Sequence, residues 1–431
     1  MAPEGQRCVR PSRTEVLLRH RSRALGFRGS SRWALALLCV LVPRAAGAHT
    51  CGGTTACACG DTVARNYTLP SDIGCPQRAT GLTVTSGVTV DGAGHKLTGA
   101  GDLPHGNDNI TIGSSVYGVY LRAVTGATVK NLDVSRFRQG IRVYRGGGNT
   151  IADVQIHDNG NFVALTPGGN HDGYGVVFVK SKGNTVTSPG GQTVIAANAD
   201  EGIHFGTGSS GNAVVDSVIQ FNEEEQLYLV NTQRNLFLNN TVRAGAPGYC
   251  RGNQVPTYCC TGVDAGTCGT VGAYVKNSDQ NVFIGNGFYT AAVIFIGDSD
   301  HNDFGRDGRG NTIDGGRLEF QQLEQSPFSP PHDNRVYRAS ITNTAAGHRY
   351  CVHFKMESLS APLPYGNAIS EAALQCNRGQ VAVDGPGVTS GGPNALCAAT
   401  CRDASGDTTV CAISDPNRPS LVTQQSAPCL P

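Results

Sequence analysis

A degenerate repeat of twenty-odd residues constrains this chain more than any other feature of its sequence. Each unit runs from a small residue through a short alternating strand and a polar turn to an Asn and a second apolar strand. It reads Gly118-Val-Tyr-Leu121, then Gly140-Ile-Arg-Val143 with Asn149-Thr-Ile, and Gly175-Val-Val-Phe178 with Asn184-Thr-Val. Gly202-Ile-His-Phe205 with Asn212-Ala-Val and Gln226-Leu-Tyr-Leu229 with Asn235-Leu-Phe follow. Gly272-Ala-Tyr-Val275 with Asn281-Val-Phe and Val293-Ile-Phe-Ile296 with Asn302-Asp-Phe complete the series. Gly118 to Gly140 is a step of 22 residues, Gly202 to Gln226 of 24 and Gly272 to Val293 of 21. Two steps are longer, and each carries an insertion: an Asn/Gly-rich loop before Gly175 and a cysteine cluster before Gly272. A solenoid absorbs such loops at one corner without losing register.

Short strands at this spacing, with no helical periodicity between them, exclude βαβ units. Leucine-rich repeats would show regular leucines, and propeller blades a Trp-Asp dipeptide; neither is present. The reading is an all-β, single-stranded right-handed parallel β-helix, because crossovers between parallel strands are overwhelmingly right-handed. The 57 glycines fit a chain with many tight turns. Asn149, Asn184, Asn212, Asn235, Asn281 and Asn302 are expected to stack as a side-chain amide ladder in one turn.

The ends differ from the middle. Trp33 to Val42 is an apolar run behind Arg19, Arg21, Arg23, Arg28 and Arg32, and Ala46-Gly47-Ala48 follows it. That order marks residues 1–48 as a secretory signal peptide. The run is too short to cross a bilayer, so the chain is read as not membrane-spanning. Of 16 cysteines, two lie in that segment, and the remaining even number in an exported chain reads as disulfides rather than zinc ligands. Residues 49–80 are expected to be a disulfide-rich N-terminal cap, 81–345 the β-helix, and 346–431 a Cys-rich C-terminal cap or small module. A net charge of +1, without a basic patch, gives no support for nucleic acid as a partner. The expected state is a monomer that is secreted, periplasmic or held at the cell surface.

Strand alternation places one residue of each unit outside. Down the stack these are Tyr120, Arg142, Val177, His204, Tyr228, Tyr274 and Phe295. Aromatic rings on a water-facing sheet suit sugar rings, although aromatic ladders also stabilise sheets without a ligand. Tyr120, Tyr174, Tyr274 and Phe295 are therefore candidate substrate contacts. Acidic residues gather at the same height: Asp172 in the loop 157–174, Asp200 and Glu201 before His204, and Glu225 before Tyr228. Removing a proton beside a carboxylate needs a base, a proton donor and a cation. His204 or His171, Tyr228 or Tyr174, and Arg142 are candidates for those roles. Asp172, Asp200, Glu201 and Glu225 could alternatively hold calcium through oxygen ligands.

The segments Cys57-Ala-Cys59-Gly-Asp-Thr-Val63, Gly81-Leu-Thr-Val and Val88-Thr-Val-Asp91-Gly-Ala-Gly94-His95, with the coils above, resemble the right-handed β-helix repeat family. That family is related in fold to pectate lyases, alginate epimerases and periplasmic copper-pathway proteins. The resemblance covers roughly residues 57 to 315. It implies the fold and leaves the chemistry open. The Asp-Pro-His-Asp type motif of alginate epimerases has its nearest counterpart in Asn170-His-Asp-Gly-Tyr174, without the proline and first aspartate. Two functions follow as expectations: a secreted lyase or epimerase acting on an acidic polysaccharide, or a non-catalytic glycan-binding or structural β-helix. Copper delivery is disfavoured by a content of two methionines.

Overall fold

The computed structural model describes residues 49–100, 116–160, 173–222, 224–244, 271–322, 329–343, 350–356, 363–376, 380–384, 394–403, 405–409, 411 and 422–427. Within them the chain is entirely β, wound into three sheets of 13 strands each. Every strand pairs in parallel with its equivalents one coil before and one coil after, apart from the antiparallel pair that joins Thr400–Arg402 to Thr408–Thr409. The chain is a parallel β-helix, as the repeat predicts. The helical stack continues past residue 345: strands Val352–Met356, Ala368–Ser370 and Ala373–Cys376 extend the same three sheets. Divergent sequence therefore conceals regular coils near the C-terminus.

The lumen is filled by the inward residues of each strand. Val119, Leu121, Ile141, Val143, Val176, Phe178, Ile203, Phe205, Leu227, Leu229, Ala273 and Val275 are all fully buried. Further along, stacked phenylalanines run through the core, with Phe295, Phe320 and Phe354 in sequence at ring separations of 5.4 and 5.2 Å.

The asparagine ladder forms and is longer than expected. Asn149 donates to Asn184 at 2.8 Å, and the chain of amides continues through Asn212, Asn235, Asn281 and Asn302 to Asn334, Asn367 and Asn394. Each side chain is buried and also caps backbone groups of the adjacent coil, so the turn leaves few unpaired polar atoms. A second ladder joins Asn159, Asn198 and Asn222 and ends on Gln226. It explains the glycines that open three of the repeats, Gly140, Gly175 and Gly202. A Cβ on Gly175 would meet the Nδ2 of Asn198 at 2.9 Å and the carbonyl of Gly202 at 2.5 Å. Where Gln226 replaces that glycine, its own amide joins the ladder at 2.8 Å from Asn222.

Corners between the short strands are tight. Asn131 and Asp153 each adopt left-handed φ values, 51° and 50°, immediately after a strand of the third sheet. Asn and Asp tolerate this conformation better than other non-glycine residues. Disulfides Cys51–Cys57 and Cys59–Cys75 lock the first coils, and Cys351–Cys376 and Cys401–Cys411 lock the last ones. The cysteines between 250 and 268, like the segment 1–48, lie outside the described residues. Among the described residues, no helix is long and apolar enough to cross a membrane.

Candidate functional site

The outer face of the first sheet carries the candidate residues. Its register aligns Tyr120, Arg142, Val177, His204, Tyr228, Tyr274, Ile294, Glu319 and His353 in one column. Six of the seven outward positions read from alternation therefore fall where expected. Phe295 does not. The pairing shifts between Val271 and Ala273, so Phe295 sits opposite Val275 and points into the lumen, fully buried. Ile294 takes the outward place beside Tyr274 and packs with Val271, Ala292 and Ile296 in a small apolar cluster. A bulge of one residue exchanges the two faces of a strand, and alternation alone carries no mark of it.

At the centre of the face, Asp200, Glu201 and Glu224 bring one carboxylate oxygen each to within 4.8 Å of the others. Asp200 is 3% exposed and Glu201 5%, whereas Glu224 is open to solvent. Backbone bonds from Asp200 to Gly173 and from Glu224 to Asp200 stack three successive coils here. Burial, followed by the charges of Glu201 and Glu224, pushes Asp200 far above the ordinary carboxylate range. This favours its protonated form, hydrogen-bonded to Glu201. Tyr174 donates its hydroxyl to Asp200, and burial with the charge of Glu201 raises its pKa well above that of a free phenol. The Oε2 of Glu201 is buried without a hydrogen-bond partner.

His204 stands directly beside this group. Its Nδ1 lies 3.6 Å from the Oε1 of Glu201, longer than a hydrogen bond. The imidazole sits between Tyr174, edge-on at 5.2 Å, and Tyr228, tilted at 5.2 Å. Tyr274 stacks on Tyr228 at 5.5 Å with 13° between the planes. The fold thus brings together Tyr174, Asp200, Glu201, His204, Tyr228 and Tyr274. Glu224, rather than Glu225, completes the carboxylate group. His171 and Asp172 lie outside the described residues.

Arg142 is on the same column but two strands from His204, with Val177 between, a separation of about 10 Å at ordinary strand spacing. Its Nη1 donates to the Oε1 of Gln139 at 3.1 Å. The guanidinium lies 5.2 Å from the ring centre of Tyr117 and 5.7 Å from that of Tyr144. Its Nε is buried and unpartnered. Tyr120 stands against Tyr117 at 4.7 Å.

Three charged residues on this face escaped the sequence reading. Glu319, 2% exposed, accepts from the Nε of Arg317 at 2.6 Å and faces the Nδ1 of His353 at 3.5 Å. Burial alone would raise its pKa, but the His353 bond and the Arg317 charge outweigh it and hold it at about 2. Their strands lack the Gly-Ile-x-φ signature, so nothing in the local text aligns them with the column. An open cleft lined by Asn131, Asp133, Asp153 and Gln192 lies at another corner of the helix, away from these acids.

The three carboxylates fit a hard divalent cation: the donors are all oxygen, and the unpartnered Oε2 of Glu201 lacks a counter-charge. In their ionised forms Asp200, Glu201 and Glu224 make an acidic group that could bind a metal ion.

No protein-family model and no curated protein matches the chain. Solved β-helix structures do. The periplasmic alginate epimerase AlgG aligns at 10% identity over 78% of this chain and 76% of its own, with a TM-score of 0.48. A mutant DFA-IIIase from Arthrobacter chlorophenolicus A6, in complex with DFA-III, aligns at 11% identity over 84% and 76%, with a TM-score of 0.41. PfbA, a surface adhesin of Streptococcus pneumoniae, aligns at 10% over 86% and 73%, with a TM-score of 0.40.

Proposed function

We propose that this is an exported carbohydrate-active protein, a lyase or epimerase acting on an acidic polysaccharide at the Tyr174–Asp200–Glu201–His204–Tyr228 site. The observation that carries this reading is a group of three carboxylates, two of them buried and one with an unpartnered oxygen, next to a histidine held between tyrosines. Strongly shifted titratable groups gathered on an open face are more frequent at functional sites than elsewhere. Export is supported by disulfides at both ends of the stack and by the leader read in residues 1–48.

In elimination, His204 takes the proton from the carbon next to the uronate carboxylate. A carbon–carbon double bond forms as the bond to the glycosidic oxygen breaks, and that oxygen takes a proton from the Tyr174–Asp200–Glu201 chain. In epimerisation the same carbon is reprotonated from the opposite side, and the glycosidic bond stays intact. Glu201 faces His204, its Oε1 3.6 Å from the imidazole Nδ1. The Tyr228–Tyr274 stack gives a sugar ring an apolar floor.

A second reading, a glycan-binding protein without turnover, is favoured by one feature: Asp200 and Glu201 are almost inaccessible while the tyrosines are partly exposed. Incubation of the mature protein with polygalacturonate, alginate and glycosaminoglycans, with calcium or with chelator, separates the two. Ultraviolet absorbance of unsaturated products or proton NMR of epimerised ones is the expected result. Retention on these polymers without either signal would leave the binding reading in its place.

A further inference from the structure

We infer that Arg142, with Tyr117, Tyr144 and Gln139, forms an anion-reading subsite separate from the reacting centre. It would take the carboxylate or sulfate of a sugar other than the one held at His204. The inference rests on the proposed function only for the direction in which the polymer lies.

The guanidinium differs from those that close ion pairs elsewhere on the rod. Arg317 is paired with Glu319, and Arg338 with Glu371. Arg142 has no acidic partner among the described residues; its one hydrogen bond, to Gln139, uses Nη1 and leaves Nη2 without an acceptor, while Nε is buried beyond a ligand's reach. A carboxylate or sulfate would meet the guanidinium end-on, at its Nη atoms. Tyr117 and Tyr144 hold the guanidinium from two sides, so less side-chain freedom is lost when an anion arrives. A half-buried cation with no counter-charge is costly to keep in the free protein, and an anionic ligand removes that cost. Gln139 is itself 5% exposed, which fixes the other end of the group.

The position completes the argument. Arg142 shares the outward column with His204 but stands two strands away, so one group cannot touch both. A polymer lying along the helix axis, over Tyr120, Arg142, His204 and Tyr228, would meet them with different sugars. Arg142 is therefore a specificity-determining residue that selects polymers carrying a further charge about 10 Å from the reacting sugar.

The experiment measures retention of wild-type protein, Arg142→Gln and Arg142→Lys in affinity electrophoresis through polygalacturonate, alginate, chondroitin sulfate and methyl-esterified pectin. Wild type should be retained by at least one anionic polymer and much less by the ester. Arg142→Gln should weaken the anionic retention roughly ten- to hundred-fold, the loss of a charged hydrogen-bonded contact. Arg142→Lys should fall between, because it keeps the charge and loses the planar fork. Retention by uronate polymers identifies a carboxylate as the ligand, and retention by chondroitin sulfate alone identifies a sulfate. Equal retention of wild type and Arg142→Gln overturns the proposal, as does wild-type retention by none of the anionic polymers. Thermal melting of each variant confirms that it is folded. Arg142-dependent retention without product formation keeps the subsite and rejects the lyase or epimerase reading; product formation unaffected by Arg142→Gln does the reverse.

Discussion

Asp200 is the residue on which the site's chemistry turns, and its proton has a consequence for stability. A carboxyl group whose pKa is higher folded than unfolded stabilises the fold fully below its ordinary value of 3.8, and that contribution is lost as pH rises. Wild type should therefore lose stability on the alkaline side, while Asp200→Asn, which keeps the shape without the ionisation, should lose less. Thermal midpoints of both proteins across the neutral and alkaline range test this; parallel curves would show that Asp200 does not carry the proton. His157 adds to that loss, since Asp133 and Asp158 raise it from 6.5 to about 9 and its charge-dependent contribution fades as pH climbs between those two values. At this scale the sequence was partly legible. His204, Tyr228 and Tyr274 could be placed because alternation fixes which side chains face out; Tyr174, read as the end of the loop 157–174, instead opens the strand Tyr174–Val179. Glu224 was passed over for Glu225 because three adjacent glutamates offer no periodicity to choose between them, and Phe295 was misplaced by a bulge that leaves no mark in the text.

Among elements, buried amide ladders hold the coils in register, and Asn240, Asn286 and Asn311 form a third beside the two described above. Removing one rung leaves the neighbouring amides buried without partners, at about 1–3 kcal/mol for each group so exposed. Asn235→Ala should accordingly lower the urea midpoint by an amount set by the groups of Asn212, Thr232 and Asn281 left unpaired. A change below about 0.5 kcal/mol, ordinary for a surface substitution, would contradict a structural role for the ladder. The six predicted rungs were readable because an Asn recurs at the same place in each repeat. Asn334, Asn367 and Asn394 were not, since the segments around them lack the glycine-led strand that would have aligned them. The second ladder was hidden for another reason: its members, Asn159, Asn198 and Asn222, stand at uneven distances from the strands they support, and only the glycines packed on them betray their presence.

Taken whole, the molecule is a rod whose long first sheet faces outward over 13 strands, with buried carboxylates near its middle and an unpaired arginine a few strands away. The fold was legible because a solenoid repeats its constraint at each coil, so one coil with degraded text is corrected by its neighbours. The chemistry was not, because it is assembled once, from residues on different coils whose spacing no motif records. The most direct test compares wild type with His204→Asn on whichever uronate polymer gives product. Loss of turnover by at least about a hundred-fold, the lower range for removing a general base, with an unchanged melting temperature and retained polymer binding, is the predicted result. Turnover that survives the substitution would place the chemistry elsewhere on the rod.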